Sequence, residues 1–295
     1  MTRPRILSLT DDLFLIPNLE DAADRLGYRL QTVSRPEDLG VEGASSPRTI
    51  PLTEPLEGPE AELVRGMVLD RPALLLVDVS CRSLPWERWI QILKTSAATR
   101  RIPVLAFGPH VEGELLGRAR AAGADIVLSR GALQSRLAEH LRSWARVRDP
   151  MALERACQGE LSESARKGID EFNAGRYFEA HELLEHAWME ATDEAGDLYR
   201  SVLQVGVACL HIQRGNPRGA AKMLLRVPQW LDPLPDHCRG VDVGSLRATV
   251  STLRTALESA KLSQSPLLAS KLLESVALRM LPETTAEDGS SPAQN

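Results

Sequence analysis

The segment Ala73 to Val79 reads ALLLVDV, apolar at every position but Asp78. A run this short, with no polar alternation, marks a strand covered on both faces, as at the centre of a parallel sheet with helices on either side. The flanking pattern agrees with that placement. Ile6 to Leu9 reads as a first strand, Glu20 to Leu26 as a helix and Arg29 to Val33 as a second strand. Arg35 to Pro59 holds five prolines with Gly40, Gly43 and Gly58, and reads as a long loop with one extra short strand. Helices follow over Glu60 to Leu69, Trp86 to Thr95, Gly113 to Ala122 and Leu133 to Arg146, with strands at Pro103 to Phe107 and Asp125 to Leu128. Five strands alternating with helices predict an α/β doubly wound, flavodoxin-like five-stranded parallel sheet over residues 1–148. Ligands of such sheets gather at the carboxyl ends of the strands.

After Asp149-Pro150 the strand signals stop. Helices are expected at Leu153 to Asn173, Arg176 to Ala191, Ala195 to Arg214, Pro217 to Leu231 and Gly244 to Ser259, giving an all-α bundle over 151–262. Gly175 and Gly215 fall at helix ends, and Asn216-Pro217 supplies an N-cap followed by proline at the first helical position. A C-terminal helix is expected within 263–281, near Leu267 to Met280, and residues 282–295, rich in Ser, Pro, Glu and Asp, read as a disordered tail. The second half also carries the net acidity: Lys+Arg and Asp+Glu balance at 20 each before Pro150 and stand at 15 against 20 after it.

Cys81, Cys157, Cys209 and Cys238 lie far apart with no C-x-x-C pair. That spacing predicts neither a zinc knuckle nor a dense disulfide framework, and favours a reduced, cytoplasmic setting. No apolar run reaches the roughly 18 to 20 residues of a membrane span, so no membrane association is expected.

Asp78 closes the central strand, and Asp11-Asp12 follow strand one, its expected neighbour. A strand-end aspartate beside an acidic pair can accept a phosphoryl group while Mg²⁺ bridges the oxygens. At this point Arg3 to Arg146 resembles the receiver domain of response regulators, through RPALLLVDVS, IPVLAFG and RAAGADIVLSR. The resemblance implies Asp78 as phosphoacceptor, Mg²⁺ at Asp11 and Asp78 when the receiver is active, and a histidine kinase as partner. Several residues depart from the family pattern. Thr10 stands where the first acid is usual, Gly108 where a switch Thr or Ser is usual, and Ser129-Arg130-Gly131 replaces Lys-Pro. An arginine is not a geometric substitute for the lysine ammonium. The expectation is therefore a degenerate receiver kept for docking or dimerisation, with Asp78 a solvated strand-end carboxylate. A working phosphorylation switch is the alternative.

In the second half, Tyr177, Ala180, His181, Leu184 and Trp188 recur at spacings of three and four. They form one inward stripe with Glu185 at its edge, while Glu182 and His186 pair on the flank. The next helix, VLQVGVACLHI, is apolar nearly all round except Gln204 and His211. Neighbouring helices would bring His181, Glu182, Glu185, Gln204 and His211 toward one polar cluster. Such a set suits metal binding or acid/base chemistry, or simply a satisfied hydrogen-bond network. HELLE is not the H-E-x-x-H of zinc proteases, and paired E-x-x-H motifs are absent.

From Arg200 to Arg226 there are basic residues and no acids, and Arg214, Arg218, Lys222 and Arg226 make an anion-binding face at a helix start. Its bland counterpart is a solvated amphipathic face. The absence of interleaved aromatics and the net acidity weigh against nucleic acid. Leu153 to Ala260 resembles the small all-helical domain of unknown function catalogued as family 309, through FNAGRYFEAHELLEHAW and LQVGVACLHIQRGNPRGA. That resemblance implies a compact bundle with His181, Glu182 and Glu185 at signature positions, and no activity. The combined expectation is a regulatory protein: a degenerate receiver ahead of a helical output or interaction module, acting on a protein partner or as a homodimer. A metal-binding or hydrolase-like enzyme using the His/Glu cluster, and a nucleic-acid-binding output, are the alternatives.

Overall fold

The computed structural model describes residues 3–41, 56, 58–258, 272–274 and 276–280. The chain divides into two compact units, Met1–Arg148 and Asp149–Asn295.

The first unit contains β1 (Arg5–Leu9), α1 (Ile16–Arg25), β2 (Arg29–Val33), a 3-10 turn at Pro36–Leu39, α2 (Gly58–Asp70), β3 (Leu74–Asp78) and α3 (Trp86–Thr95). It continues with β4 (Val104–Gly108), α4 (Gly113–Ala122), β5 (Ile126–Ser129), α5 (Arg130–Ser135) and α6 (Leu137–Trp144). The five strands pair in parallel in the order β2-β1-β3-β4-β5. Strand side chains alternate between faces, so β3 feeds two cores. Leu75 and Val77 pack with Leu7, Leu9, Met67 and Trp89 on one side, and Leu74 and Leu76 with Ile6, Leu19, Phe107 and Leu141 on the other. Every residue of β3 is buried, as the apolar run required.

Local capping moves several boundaries. The helix expected from Glu20 starts at Ile16, because the Asp12 Oδ1 accepts the Phe14 and Leu15 amides at 3.0 and 3.2 Å and turns the chain early. The single helix expected over Leu133 to Arg146 is instead two. Ser129 accepts the Ala132 amide at 3.2 Å and so begins α5 at Arg130, and the backbone breaks at Arg136. Of the long proline-rich segment, 42–55 and 57, where an extra strand was expected, lie outside the described residues.

The second unit contains α7 (Pro150–Cys157), α8 (Glu163–Asn173), α9 (Tyr177–Glu190), α10 (Gly196–Gln213), α11 (Pro217–Arg226), α12 (Pro228–Leu231), β6 (His237–Cys238), β7 (Val241–Asp242) and α13 (Val243–Glu258). The helix expected over Leu153 to Asn173 is broken, since the Ser162 hydroxyl caps a new start by accepting the Ala165 amide at 3.2 Å. The one expected over Pro217 to Leu231 is interrupted at Val227, where Pro228 has no amide to donate. The β6–β7 hairpin is absent from the sequence reading because its two-residue strands give no alternation to detect. Arg239 and Gly240 make its turn, both at positive φ.

The C-terminal helix expected to reach Met280 does not. Residues 272–274 are helical, but Met280 forms an antiparallel bridge to Val241, and Leu278 exchanges hydrogen bonds with the Asn173 side chain at 2.7 and 3.0 Å. The rest of that helix and the tail at 282–295 lie outside the described residues.

Helix α10 occupies the middle of the bundle. Leu198, Val202, Val205 and Cys209 meet Ala180, Leu184 and Ala187 of α9 and Ile169 and Phe172 of α8 in one core. The approach of α8 to α9 depends on Gly168, where a Cβ would lie 2.8 Å from Leu184 Cγ. Phe172 and Tyr177 pack edge to face, with centroids 5.3 Å apart.

Candidate functional site

The carboxyl ends of β1, β3 and β5 bring three charged side chains together. Asp78 ends β3 with its side chain 1% exposed, so it is a buried ion and not the solvated carboxylate expected. Burying a carboxylate is costly unless it is paired and hydrogen-bonded. The partner is Arg130. Its Nη2 donates to Asp78 Oδ2 at 2.7 Å and to Ser80 Oγ at 3.0 Å, while Nη1 donates to Asp12 Oδ2 at 2.7 Å. Thr10 Oγ1 donates to Asp78 Oδ2 at 3.2 Å, and the Ser80 amide donates to Oδ1 at 3.0 Å, as does the Ser80 hydroxyl. Both oxygens of Asp78 are therefore occupied by protein donors.

Ser129 explains why Arg130 reaches the pocket. By closing β5 and capping α5, it leaves Arg130 at the first helical position, directly at the strand ends. The side chain then supplies a planar fork whose two terminal nitrogens each serve a different carboxylate. Arg130, which stands where the receiver resemblance expects a lysine, is the central cation of this pocket.

Asp11 does not join the cluster. It is exposed, and its carboxylate lies near the Cys81 thiol, which burial first and Asp11 further push above the ordinary range. The expected Mg²⁺ pair of Asp11 and Asp78 is therefore not assembled. Magnesium needs about six oxygen ligands in near-octahedral geometry, whereas the Asp12 and Asp78 oxygens facing each other are bridged by a guanidinium. The residues do not fit the ion, and the described residues contain no group of three or more His, Cys, Asp or Glu that could hold a metal.

Gly108, at the place of the switch hydroxyl, has a packing role. A Cβ there would lie 2.5 Å from Val79 Cγ2, so the space is filled by a side chain that is 2% exposed. Gly108→Ser is expected to destabilise the first unit by about 1 to 3 kcal/mol through overpacking. The added change Val79→Ala should recover part of that loss in urea denaturation.

In the second unit, the polar residues of the expected cluster are not hydrogen-bonded to one another among the described residues. His181, Glu185, Gln204 and His211 are each partly buried, and among the described residues no hydrogen bond or ion pair joins them to one another. His211 Nδ1 instead lies 3.2 Å from Asn216 Nδ2, and Gln204 Oε1 is buried without a partner. Glu182 is exposed, and His186 pairs with Glu190 at 3.2 Å and with Ser164 at 3.3 Å, not with Glu182.

The segment that carries these residues, from Ala165 in α8 to Met223 in α11, is three antiparallel helices followed by a capped fourth. Residues 165–223 match the family model of DUF309, a domain of unknown function. An uncharacterised protein of Aquifex aeolicus is 30% identical over 78 residues, which is 26% of this chain and 23% of that protein's length. The chain thus spans about a quarter of the curated relative it matches. Among solved structures, the receiver domain of a sensor histidine kinase from Pseudomonas aeruginosa PAO1 is similar at 17% identity and TM-score 0.36, covering 48% of this chain and 98% of that one. A response regulator in red light signalling of R. palustris is similar at 14% identity and TM-score 0.36, covering 50% and 96%.

Within the DUF309 match, Arg214, Arg218 and Lys222 lie on or just before α11, and Arg226 closes that helix beyond the match. Asn216 accepts the Gly219 amide at 2.8 Å and so uses one of the donors at the helix start that an anion would need. Two polar features of this unit were not anticipated. Arg200 lies between the rings of Trp188 and Trp230, 4.3 Å from each centroid. Arg239 reaches Tyr199, Asp193 and the carbonyl of Ala156. Neither left a motif, because the partners come from distant elements.

The expectation of reduced cysteines is also corrected. Cys157 at the end of α7 and Cys238 in β6 are joined by a disulfide, with Cα atoms 4.3 Å apart across 81 residues of sequence. Cys81 and Cys209 are free and buried. Among the described residues no helix is long and apolar enough to cross a membrane.

Proposed function

We propose that this chain is a regulatory protein whose receiver-like unit works by protein contact without phosphoryl transfer, ahead of a DUF309-bearing helical unit that acts as output or interaction module. The observation that carries the reading is the Arg130 bridge. A phosphoacceptor must present a free carboxylate oxygen to the donor and a divalent ion to the phosphoryl oxygens. Asp78 is 1% exposed, both its oxygens accept protein hydrogen bonds, and a guanidinium stands between it and Asp12. Gly108 adds to this, since a receiver with Val79 packed against that position has no hydroxyl to reposition.

Under this reading Arg130 is an internal counterion that holds the strand ends in one arrangement, and signals arrive through a protein partner or a second copy of the chain. The test is incubation of the full chain with acetyl phosphate and Mg²⁺, followed by phosphate-affinity electrophoresis. The expected outcome is a single unshifted band. A slower band that disappears in Asp78→Asn overturns the reading.

A further inference from the structure

Helix α7 is weakly held by its own packing. Of its eight residues only Leu153 and Cys157 are buried, and it is the first element after the chain leaves the receiver-like unit at Arg148. Its carboxyl end is tied to the β6–β7 hairpin in two independent ways. One is the covalent bond from Cys157 to Cys238. The other is Arg239, the next residue, whose amide donates to Cys157 O at 2.7 Å and whose Nε donates to Ala156 O at 3.1 Å. The Arg239 guanidinium is itself anchored on Tyr199 of α10 and on Asp193. The clamp uses no sulfur, so cleaving the disulfide leaves the two thiols adjacent, and re-closure is an intramolecular step of high effective concentration.

We propose that Cys157 and Cys238 form a reversible redox latch that fastens α7 to the β6–β7 hairpin. Closure removes two electrons and two protons from the cysteine thiols and passes them to a low-molecular-weight disulfide, which leaves as two thiols. Opening is the reverse exchange with a dithiol reductant. Neither of the other cysteines competes in this exchange. Cys81 belongs to the other unit, and Cys209 is buried with its thiol pushed up to about 12 by that burial. With the latch open, the end of α7 is retained by Arg239 and by the packing of Leu153, Ala156 and Cys157, with no covalent bond. The proposal draws on no property of the Asp78 pocket, so phosphorylation of Asp78 would leave it standing.

The test uses the full chain incubated with oxidised glutathione, then with dithiothreitol, then with oxidised glutathione again. Of the four cysteines, two are expected to react with a thiol reagent after unfolding in the oxidised samples and all four in the reduced one. Hydrogen exchange read by mass spectrometry should show amides of α7 exchanging about tenfold faster in the reduced sample and slow again after reoxidation, with α8 to α10 unchanged. Cys157→Ser should exchange fast in every condition. Four reactive thiols in every sample, equal α7 exchange in both states, or failure to re-close overturns the latch. If Cys157→Ser does not fold, the wild-type comparison alone gives the answer.

Discussion

Arg130→Ala is expected to destabilise the receiver-like unit by about 3 to 5 kcal/mol, the cost of stranding a buried charge by removing its partner. The argument is one of asymmetry. Asp78 has 1% of its side chain exposed and Asp12 has 21%, so loss of the guanidinium leaves a deeply placed carboxylate without its counterion and a second beside it. Thr10 and Ser80 still donate to Asp78, but neutral donors do not replace a countercharge. Arg130→Lys should recover only part of the loss, because one ammonium nitrogen replaces the two guanidinium nitrogens that serve Asp12 and Asp78 separately. Arg130→Ala combined with Asp78→Asn should lie well above Arg130→Ala alone, since the stranded charge is then gone. Urea denaturation of the four proteins, followed by a probe in the first unit, measures the coupling. A loss below about 1 kcal/mol for Arg130→Ala, the range of an exposed ion pair, would mean that the bridge is not the counterion described.

Reduction of the Cys157–Cys238 bond should have the next largest effect. The bond joins residues 81 apart in sequence, and closing a loop of that length restricts the unfolded chain by about 4 kcal/mol. In a unit of about 150 residues, each kcal/mol moves Tm by roughly 2 to 4 °C. Dithiothreitol should therefore lower the Tm of the helical unit by about 10 °C and leave the receiver-like unit unmoved. Calorimetry of the full chain, with the two transitions resolved, separates these outcomes. An unmoved Tm of the helical unit would mean that the Cys157–Cys238 bond does not restrain it.

The sheet was legible in the sequence because its signal is burial alone. Leu74 to Val77 are apolar on consecutive positions, which only a strand covered on both faces requires, and the parallel order followed from the helices between strands. Asp78 was legible as an anomaly in the same run. Its environment was not, because the residue that determines it lies 52 positions away and reaches it only when Ser129 caps α5. The receiver resemblance raised Arg130 only as a replacement for a phosphoryl-contacting lysine, and that comparison says nothing of a guanidinium paired with Asp12 and Asp78.

In the helical unit, periodicity gave α9 and α10 and identified which faces turn inward, but a face is not a contact. His181, Glu185, Gln204 and His211 make no hydrogen bond with one another among the described residues, while Arg239 and Cys238, with no periodic signal, hold α7 in place. Short hairpins and distant cysteine pairs share this difficulty. Two-residue strands offer nothing to alternate, and four cysteines allow several pairings that spacing cannot rank.

The measurement that bears most directly on the Arg130 bridge is the phosphoryl content of the intact chain after acetyl phosphate and Mg²⁺, read by mass spectrometry before and after hydroxylamine, for wild type and Asp78→Asn. The prediction is no hydroxylamine-sensitive phosphoryl group on either protein. Stoichiometric labelling of wild type that hydroxylamine removes and Asp78→Asn abolishes would show that Arg130 yields the pocket to phosphate and metal, and would contradict the account.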